Sequence, residues 1–271
     1  MNKDTLISTC IQVKKDIIEM IYEAKSGHPG GSLSCSEILT YLYCEKMNVS
    51  PEKLNDENRD RFVLSKGHAA PALYAVLAER GYFDKSEIHS LRKLGGLLQG
   101  HPDSKHINGV DVSTGSLGQG ISNAVGMALG LKVQKKDSKV YVILGDGELN
   151  EGLVWESAMA AGHYKLNNLI AIVDNNGLQI DGKNEEVMNI DPIDDKFRSF
   201  GWNVVLCEDG NDFESIDKAF KSIENYNYKP SVIIARTVKG RGVSFMENEA
   251  IWHGQAPSLE EKNKALEEIL A

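Results

Sequence analysis

The stretch Lys139-Val-Tyr-Val-Ile-Leu-Gly-Asp-Gly147 decides the fold, together with Asn168-Leu-Ile-Ala-Ile-Val-Asp-Asn-Asn176 further along the chain. Each stretch is a short apolar run that ends in small and polar residues, which is typical of a buried strand and the turn after it. The segment Gly152–His163 between them is rich in alanine and predicts a helix. A strand–helix–strand unit of about 30 residues places its two strands parallel. The sequence therefore predicts an α/β fold built on a parallel sheet.

The rest of the chain continues this alternation of apolar runs and amphipathic segments. Strands are predicted at Arg61–Ser65, Trp202–Leu206 and Ser231–Ala235, and helices at 3–25, Ser36–Lys46 (capped by Ser36), Ala69–Arg80, Ser86–Lys93 (capped by Ser86), Gly118–Gln134 and 211–225. Alternating strands and helices indicate an open, mostly parallel sheet with helices on both faces. No repeat, low-complexity tract or long linker is evident, so we expect a single domain over 1–271 with a helical N-terminal extension at about 1–60.

Polar side chains follow the two strands of the strand–helix–strand unit. Asp146 and Asn176 come just after the first and second strand, and the carboxyl ends of strands are where open α/β sheets bind ligands. Neighbouring strands lie about 4.8 Å apart. The Asp146 carboxylate, the Asn176 amide oxygen and the nearby Leu178 carbonyl are hard oxygen ligands that suit Mg²⁺, or equally Ca²⁺, holding a diphosphate. Gly145 and Gly147 allow the backbone to approach the phosphates closely.

The composition is ordinary for a globular protein and excludes several classes of partner. The formal charge of −9 argues against a nucleic-acid groove or an anionic membrane surface, although solubility alone explains it. The four cysteines have no CxxC spacing, which indicates a reduced, cytoplasmic setting rather than a zinc or disulfide framework. No signal peptide is evident at the N-terminus. Val112–Leu131 is uncharged but rich in glycine, so we interpret it as a loop leading into a helix and not as a membrane span.

Five motifs in a fixed order carry a family resemblance. The stretch 145–182 closely resembles the thiamine diphosphate motif of transketolases. Four further motifs follow the order seen in that family: Ser26-Gly-His-Pro-Gly30, Ser65-Lys-Gly-His-Ala69, Gly100-His-Pro102 and Thr114-Gly-Ser-Leu-Gly-Gln-Gly120. The resemblance extends over nearly the whole chain but covers only the N-terminal portion of a full-length transketolase. It implies a thiamine diphosphate-binding fold with thiamine diphosphate and Mg²⁺ or Ca²⁺ as cofactors.

Four of the seven histidines lie beside glycine in turn-like segments: His28, His68, His101 and His253. Histidine is the side chain most readily tuned for proton transfer near neutral pH, which a ketol transfer requires. The resemblance implies that His28 and His101 face the substrate, whereas His68 and His253 face the diphosphate and the reacting centre. The remaining histidines match no motif and are interpreted as structural or surface residues: His89, His106 and His163.

Further positions have two interpretations each. Glu151 is an acid in the first turn of a helix, where the helix dipole favours it. The resemblance adds a role in a network between two active sites. Leu117 and Ile180 suggest core packing by default, whereas the resemblance places them against the thiazolium ring, with Gly115 leaving room for the cofactor. By resemblance, the cofactor-binding residues are His68, Gly115, Leu117, Asp146, Gly147, Asn176, Ile180 and His253.

One component of the chemistry is missing from the sequence. Thiamine diphosphate acts as a carbanion stabiliser, and it needs a carboxylic acid against its aminopyrimidine ring. In transketolases that glutamate belongs to the following pyrimidine-binding domain, and the sequence contains no second sheet to supply it. The resemblance therefore implies the N-terminal half of a split transketolase that acts on sugar phosphates. We expect activity only with a separate C-terminal subunit, two copies of each, docked on the loops 26–31, 115–120 and 147–152 and on an exposed apolar patch.

Three alternatives stay open from the sequence. Deoxyxylulose-phosphate synthase shares parts of these motifs but is normally one long chain. The alpha subunit of 2-oxo-acid dehydrogenases is also a half-enzyme, but it has no strong claim to the first three of the four additional motifs together. A non-catalytic binding protein that retains the fold would be expected to lose Asp146, Asn176 or the histidines, and the sequence keeps them.

Overall fold

The computed structural model describes residues 3–270. Its strands, numbered along the chain, are β1 (Arg61–Leu64), β2 (Val140–Gly145), β3 (Leu169–Asn175), β4 (Leu178–Gln179), β5 (Gly182–Lys183), β6 (Asn203–Cys207) and β7 (Ser231–Arg236). Among these residues, five strands form one sheet in the order β1-β2-β3-β7-β6, with every neighbouring pair parallel. The short β4 and β5 form a separate antiparallel hairpin, which the sequence did not predict.

The helices surround this sheet. They are α1 (Lys3–Ala24), α2 (Pro29–Ser34), α3 (Ser36–Tyr41, continued by a π-helical turn Leu42–Lys46), α4 (Ala70–Glu79), α5 (Gln119–Val133), α6 (Gly152–His163), α7 (Asn184–Val187), α8 (Ile193–Ser199), α9 (Phe213–Ile223) and α10 (Leu259–Leu270). The predicted strands and the longer helices agree with these bounds to within a few residues. Between residues 3 and 270, no helix has the length and apolar character needed to cross a bilayer.

Successive strand residues point to opposite faces of the sheet and pack in two apolar clusters. In β1, Phe62 and Leu64 join the cluster formed with α1, α3, α4 and α9, whereas Val63 joins the cluster formed with α5, α6 and α8. This alternation is the two-residue period of a strand. The predicted α/β fold, an open parallel sheet covered by helices on both faces, is confirmed.

The predicted N-terminal extension packs directly on this core. Ile17, Ile18 and Ile21 of α1 are fully buried, and they belong to the same apolar cluster as α4 and β1. The segment therefore forms part of one helical layer over the sheet. The single-domain limits of 1–271 stay a prediction, and their end residues lie outside the described part of the chain.

Both predicted helix caps are wrong. Ser36 is the first residue of α3, and its hydroxyl donates to the Leu33 carbonyl (2.8 Å) instead of capping the helix. The segment predicted as a helix capped by Ser86 is a 3₁₀ helix over Lys85–Ser90. Its cap is Asp84, whose carboxylate accepts the Ser86 amide N–H at 2.8 Å. Aspartate caps at least as well as serine, and it stands at the position where the backbone is still extended.

A further helix, which the sequence did not predict, begins inside a predicted break. Ser26–Gly31 ends α1 as predicted, but α2 begins at Pro29 within the same motif. Proline at the first position of a helix has a suitable φ and gives up an amide N–H that would have no partner. The helix α2 is largely buried, and it brings the backbone of Gly31 to the carboxyl edge of the sheet.

Two helical glycines differ sharply in their surroundings and give a test of the packing. A Cβ atom on Gly162 in α6 would lie 1.9 Å from the Phe200 carbonyl oxygen, whereas a Cβ on Gly126 in α5 would meet nothing within 4 Å. We expect Gly162→Ala to lower the free energy of unfolding by about 2–3 kcal/mol through overpacking. Gly126→Ala should raise it by about 0.5–1 kcal/mol because alanine favours the helix. Urea unfolding of both variants measures the difference, and equal effects would contradict the packing described for α6.

Candidate active site

A cavity lies at the carboxyl edge of the sheet. Its lining includes one polar residue after each of four strands: Lys66 after β1, Asp146 after β2, Asn176 after β3 and Lys239 after β7. Four successive neighbours in the sheet thus contribute to one site, because parallel strands end at the same edge. Two of these residues, Asp146 and Asn176, were predicted from the sequence.

The turn after β3 folds onto the end of β2. The Asp146 carboxylate accepts the amide N–H groups of Gly147 (2.8 Å) and Gly177 (2.6 Å). The Asn176 amide oxygen accepts the Leu178 N–H at 3.1 Å. Burial, followed by the nearby Asp174 charge, raises the pKa of Asp146 to about 6. Asp146, Asn176 and Leu178 line the same cavity. That they share one cation stays a prediction.

A buried ion pair lies behind this turn. Asp174, at the end of β3, has no solvent exposure and pairs with the ammonium group of Lys66. Its carboxylate also accepts the hydroxyl protons of Ser34 (2.6 Å) and Thr237. Burial alone would lower the pKa of Lys66, but the Asp174 carboxylate outweighs it and raises that pKa above its ordinary value. Lys66 also donates to the Gly31 carbonyl at 2.9 Å.

Lys239 is a buried cation without a carboxylate partner. It is 2% exposed, and its Nζ lies 3.2 Å from Nδ1 of His253. Among residues 3–270, no carboxylate oxygen lies within the 4.0 Å ion-pairing distance of this nitrogen. Burial, followed by the charge of Lys66, lowers the pKa of Lys239 to about 8. The charges of Asp146 and Asp174 favour the cation but do not outweigh its burial. A buried cation with no ion-pair partner in a cavity suits an anionic ligand.

Three predicted histidines form a triangle above the cavity. The ring centroids of His28, His68 and His253 lie 5.2–5.3 Å apart in each pair. Burial, followed by the charge of Arg92, lowers the pKa of His28 to about 4. Burial and then the charge of Lys239 lower that of His253 to about 4 as well. The pKa of His68 is also well below its ordinary value, mainly because the ring is buried. All three imidazoles are therefore neutral at pH 7.

The fourth predicted histidine stands apart from the triangle. The backbone carbonyl of His101 accepts the Tyr74 hydroxyl at 2.8 Å. Its ring lies beside Gly115, where a Cβ would be 3.1 Å from the His101 Cγ and where φ is 153°. Burial and the charge of Arg92 lower the pKa of His101. Neither His101, Gly115 nor His28 lines the cavity itself.

The other predicted site residues are divided between the cavity and the surface. Leu117, Gly147 and Ile180 line the cavity, and Ile180 is 59% exposed, so it is not a core residue. Glu151 precedes α6, is exposed and does not line the cavity. Its Cβ lies 2.7 Å from where a Cβ on Gly118 would stand, and Gly118 has a left-handed φ of 81°.

Sequence reasoning missed Lys66, Lys239 and Glu148, which also line the cavity. Lys66 belongs to a quoted motif, and Lys239 follows a predicted strand, so the rule that identified Asp146 applies to both. Glu148 is 2% exposed, and its carboxylate accepts the N–H groups of Gly118 (2.8 Å) and Gly145 (3.1 Å). It therefore ties the glycine-rich loop to the end of β2.

The three unassigned histidines are exposed. His89 pairs with Glu23 at 2.7 Å, and His106 pairs with Asp103 at 2.6 Å. The ring of His163 at the end of α6 packs against its neighbour Tyr164, with centroids 4.9 Å apart. None of the three lines the cavity, which agrees with their interpretation as structural or surface residues.

The fold and the site together define an α/β protein whose cavity, at the carboxyl edge of its sheet, combines a buried cation with oxygen donors. The family model described as "Transketolase, thiamine diphosphate binding domain" matches residues 4–270. The chain therefore belongs to the transketolase family and comprises its thiamine diphosphate-binding domain.

Similar proteins include both short chains and full-length enzymes. An apulose-4-phosphate transketolase subunit of Phocaeicola vulgatus is 44% identical over 269 residues, which cover 99% of this chain and 95% of that protein. The 6-deoxy-6-sulfo-D-fructose transketolase subunit SqwG of a Clostridium species is 42% identical, with coverages of 95% and 93%. The crystal structure of transketolase from Campylobacter jejuni aligns with a TM-score of 0.93 at 33% identity, covering 99% of this chain and 43% of that one.

The lowered pKa of Lys239 predicts a pH-dependent stability. Between pH 8 and the ordinary lysine pKa of 10.5, the folded state binds fewer protons at this site than the unfolded state, so unfolding free energy rises with pH there. At pH 7 the site destabilises the chain, and Lys239→Met should raise the unfolding free energy on the order of 2 kcal/mol. The gain should shrink by pH 10. Urea unfolding at both pH values tests this, with the exposed Lys183→Met as control. A gain that is independent of pH would contradict the charge argument.

Proposed function

We propose that this chain is the N-terminal subunit of a two-chain transketolase, which transfers a two-carbon ketol unit from a ketose phosphate to an aldose phosphate. The family membership and the two relatives named as transketolase subunits, which the chain matches over almost their whole length, support a split enzyme. They also favour this function over a deoxyxylulose-phosphate synthase or a 2-oxo-acid dehydrogenase subunit. The observation that carries the proposal is the cavity, with an unpaired buried cation and no free acid.

The cavity fits the diphosphate of the cofactor. Lys239 has no ion-pair partner of its own, and a diphosphate would supply one. His68 and His253 line the same space as neutral rings, so each offers one N–H donor. The backbone is close at Gly31, where a Cβ would lie 3.3 Å from the His68 Nε2, and at Gly147, where it would lie 2.6 Å from the Gln179 Cβ.

The same cavity fits a divalent cation beside the diphosphate. Asp146, the Asn176 side chain and the Leu178 carbonyl would hold Mg²⁺ or Ca²⁺, since all three are hard oxygen donors. The cation would stabilise the charged form of Asp146, whose pKa is raised by burial. Within residues 3–270 there is no cluster of three or more His, Cys, Asp and Glu side chains suited to a metal, and the proposed ligand set needs only one such residue.

The histidines have separate proposed roles. Bound thiamine diphosphate supplies the carbanion-stabilising centre that carries the two-carbon unit. His28 and His101 would face the sugar and exchange protons with its hydroxyl and carbonyl oxygens, for which a neutral imidazole is suited. His28 has a buried Nδ1 without a hydrogen-bond partner, which leaves it available to a ligand. Leu117 and Ile180 would contact the thiazolium ring, and Gly115 would leave room for it. The exposed Glu151 would join a network between two active sites.

The carboxylates of the cavity are already engaged, and this supports the need for a partner. Glu148 accepts bonds from Ser65, Gly118 and Gly145, and Asp146 accepts bonds from two backbone amides. Neither carboxylate is therefore free to act on an aminopyrimidine ring. A C-terminal subunit, the pyrimidine-binding half, would supply that acid.

Exposed apolar side chains next to the cavity support the docking of this subunit. Ile180 on the hairpin and Val187 and Met188 just after it are 47–61% exposed. The loops 115–120 and 147–152 both have exposed members. In the predicted third docking loop, 26–31, α2 starts at Pro29 and packs inward, which leaves Ser26 and His28 half-buried and the other residues buried. Docking on this loop stays a prediction. Two copies of each subunit, a cytoplasmic location and no nucleic-acid or membrane partner complete the proposal.

The metal assignment predicts the behaviour of Asp146→Ala. This variant should lose measurable thiamine diphosphate binding in the presence of Mg²⁺, because one cation ligand and the partner of two amide groups are removed together. Isothermal titration of the reconstituted complex measures the affinity, and circular dichroism checks the fold. The matched control is Asp181→Ala, an exposed carboxylate of the neighbouring hairpin that does not line the cavity. Unchanged affinity in Asp146→Ala would reject the proposed ligand set.

Reconstitution tests the function itself. The purified chain with thiamine diphosphate and Mg²⁺ should show no ketol transfer, and addition of a pyrimidine-half subunit from the same genome should restore it at a ratio near one to one. The donor panel should contain fructose 6-phosphate, apulose 4-phosphate and 6-deoxy-6-sulfofructose, with ribose 5-phosphate as acceptor. Light scattering should give two copies of each chain. Activity of this chain alone would overturn the split-enzyme proposal.

A further inference from the structure

Arg92 holds an unfavourable backbone conformation on the approach to the site. Its φ is 56°, in the left-handed region that non-glycine residues rarely adopt. The Arg92 N–H donates to the Leu98 carbonyl (2.9 Å), which closes the loop between them. A left-handed residue costs on the order of 1 kcal/mol, so the rest of the structure must stabilise this conformation.

The guanidinium of Arg92 joins the two loops that carry His28 and His101. Its Nη1 donates to the Ser26 hydroxyl (3.3 Å), two residues before His28. Its Nη2 donates to the Gly100 carbonyl (3.3 Å), directly before His101. A single planar side chain therefore bridges the two loops that carry the histidines we assign to the substrate. A planar fork is suited to two fixed acceptors, whereas an ammonium group is not.

Gly100 makes room for this contact, and Tyr74 supports it from the core. A Cβ on Gly100 would lie 3.0 Å from the Arg92 Cζ and 3.2 Å from its Nε. The hydroxyl of the fully buried Tyr74 reaches the carbonyls of Gln99 (3.0 Å) and His101 (2.8 Å). The loop that carries His101 is thus held by two side chains, a core tyrosine and an exposed arginine.

The charge of Arg92 acts on the same two histidines. After burial, it is the leading cause of the lowered pKa of His28 and of His101. The other groups that lower the pKa of His28 are the protonated form of His101 and the cations Lys239 and Lys66. Arg92 thereby helps to keep both imidazoles neutral, with one nitrogen free to accept a proton.

We propose that Arg92 is a positioning residue of the ketol transfer, which fixes the loops of His28 and His101 relative to each other at the substrate side of the site. This role rests on the proposed function and extends it, because Arg92 contacts neither the cavity nor the diphosphate residues. It acts through the two histidines.

The first experiment measures kinetics of the reconstituted complex with fructose 6-phosphate and ribose 5-phosphate. Arg92→Gln should lower kcat at least tenfold while thiamine diphosphate affinity stays within twofold. Arg92→Lys should recover only part of the loss, because it keeps the charge but not the fork. Gly100→Ala should act in the same direction by displacing the guanidinium. The control Lys93→Gln removes the neighbouring exposed cation, which pairs with Glu23 (3.3 Å), and should leave kcat unchanged.

The second experiment needs no activity. Histidine titration by NMR on the chain should show higher pKa values for His28 and His101 in Arg92→Gln than in the wild type, and no change in Lys93→Gln. Normal kcat in Arg92→Gln would overturn the role of Arg92, whether or not the titrations move. A loss confined to phosphorylated sugars, with fructose turnover intact, would also overturn it, since Arg92 would then bind phosphate. An inactive wild-type complex would instead reject the proposed function.

Discussion

The position of the site depends on one buried carboxylate. Asp174 has no exposure, and its donors come from three separate segments: Lys66 after β1, Ser34 in α2 and Thr237 after β7. A buried charge costs several kcal/mol unless it is paired and hydrogen-bonded. The donors therefore stay hydrogen-bonded to Asp174. As a result, the strand ends and the helix that carry them cannot move independently. The cavity is built from the residues next to these donors.

The charges around the cavity are balanced except at one position. Lys66 is neutralised by Asp174, Asp146 is held by backbone amides, and the three clustered imidazoles are uncharged. Among the described residues Lys239 has no carboxylate within ion-pairing distance, and the charges of Asp146 and Asp174 do not offset its burial. The burial that keeps the histidines neutral is thus the same burial that makes the charge of Lys239 costly. Burial therefore determines both the energetic cost of the Lys239 charge and the protonation state of the histidines.

Much of the fold and part of the site could be predicted from local patterns. The strand ends at Asp146 and Asn176 are visible because an apolar run stops at a polar residue, and the sheet type follows from alternating elements. Lys239 also follows a predicted strand, but its place in the same cavity as Asp146 depends on strand order, which is not chain order: β7, and not β6, lies next to β3. The bridge from Arg92 to Ser26 and Gly100 joins segments that no periodicity relates. Contacts of this kind become visible only after the chain has folded.

Folding and chemistry place different demands on this chain. Within residues 3–270, both faces of the sheet are covered by apolar clusters, so the core does not depend on another chain. The remaining free-energy cost to the folded chain lies at the cavity, where Lys239 has no ion-pair partner and the apolar side chains of Ile180 and Met188 are exposed. Under the proposed function, the cofactor relieves the first cost and the partner subunit relieves the second. If the partner subunit also closes the cavity, cofactor binding strengthens partner binding, and partner binding strengthens cofactor binding. Thermodynamic linkage requires that both affinities change by the same factor. Cofactor affinity and assembly are then two measures of one coupling free energy.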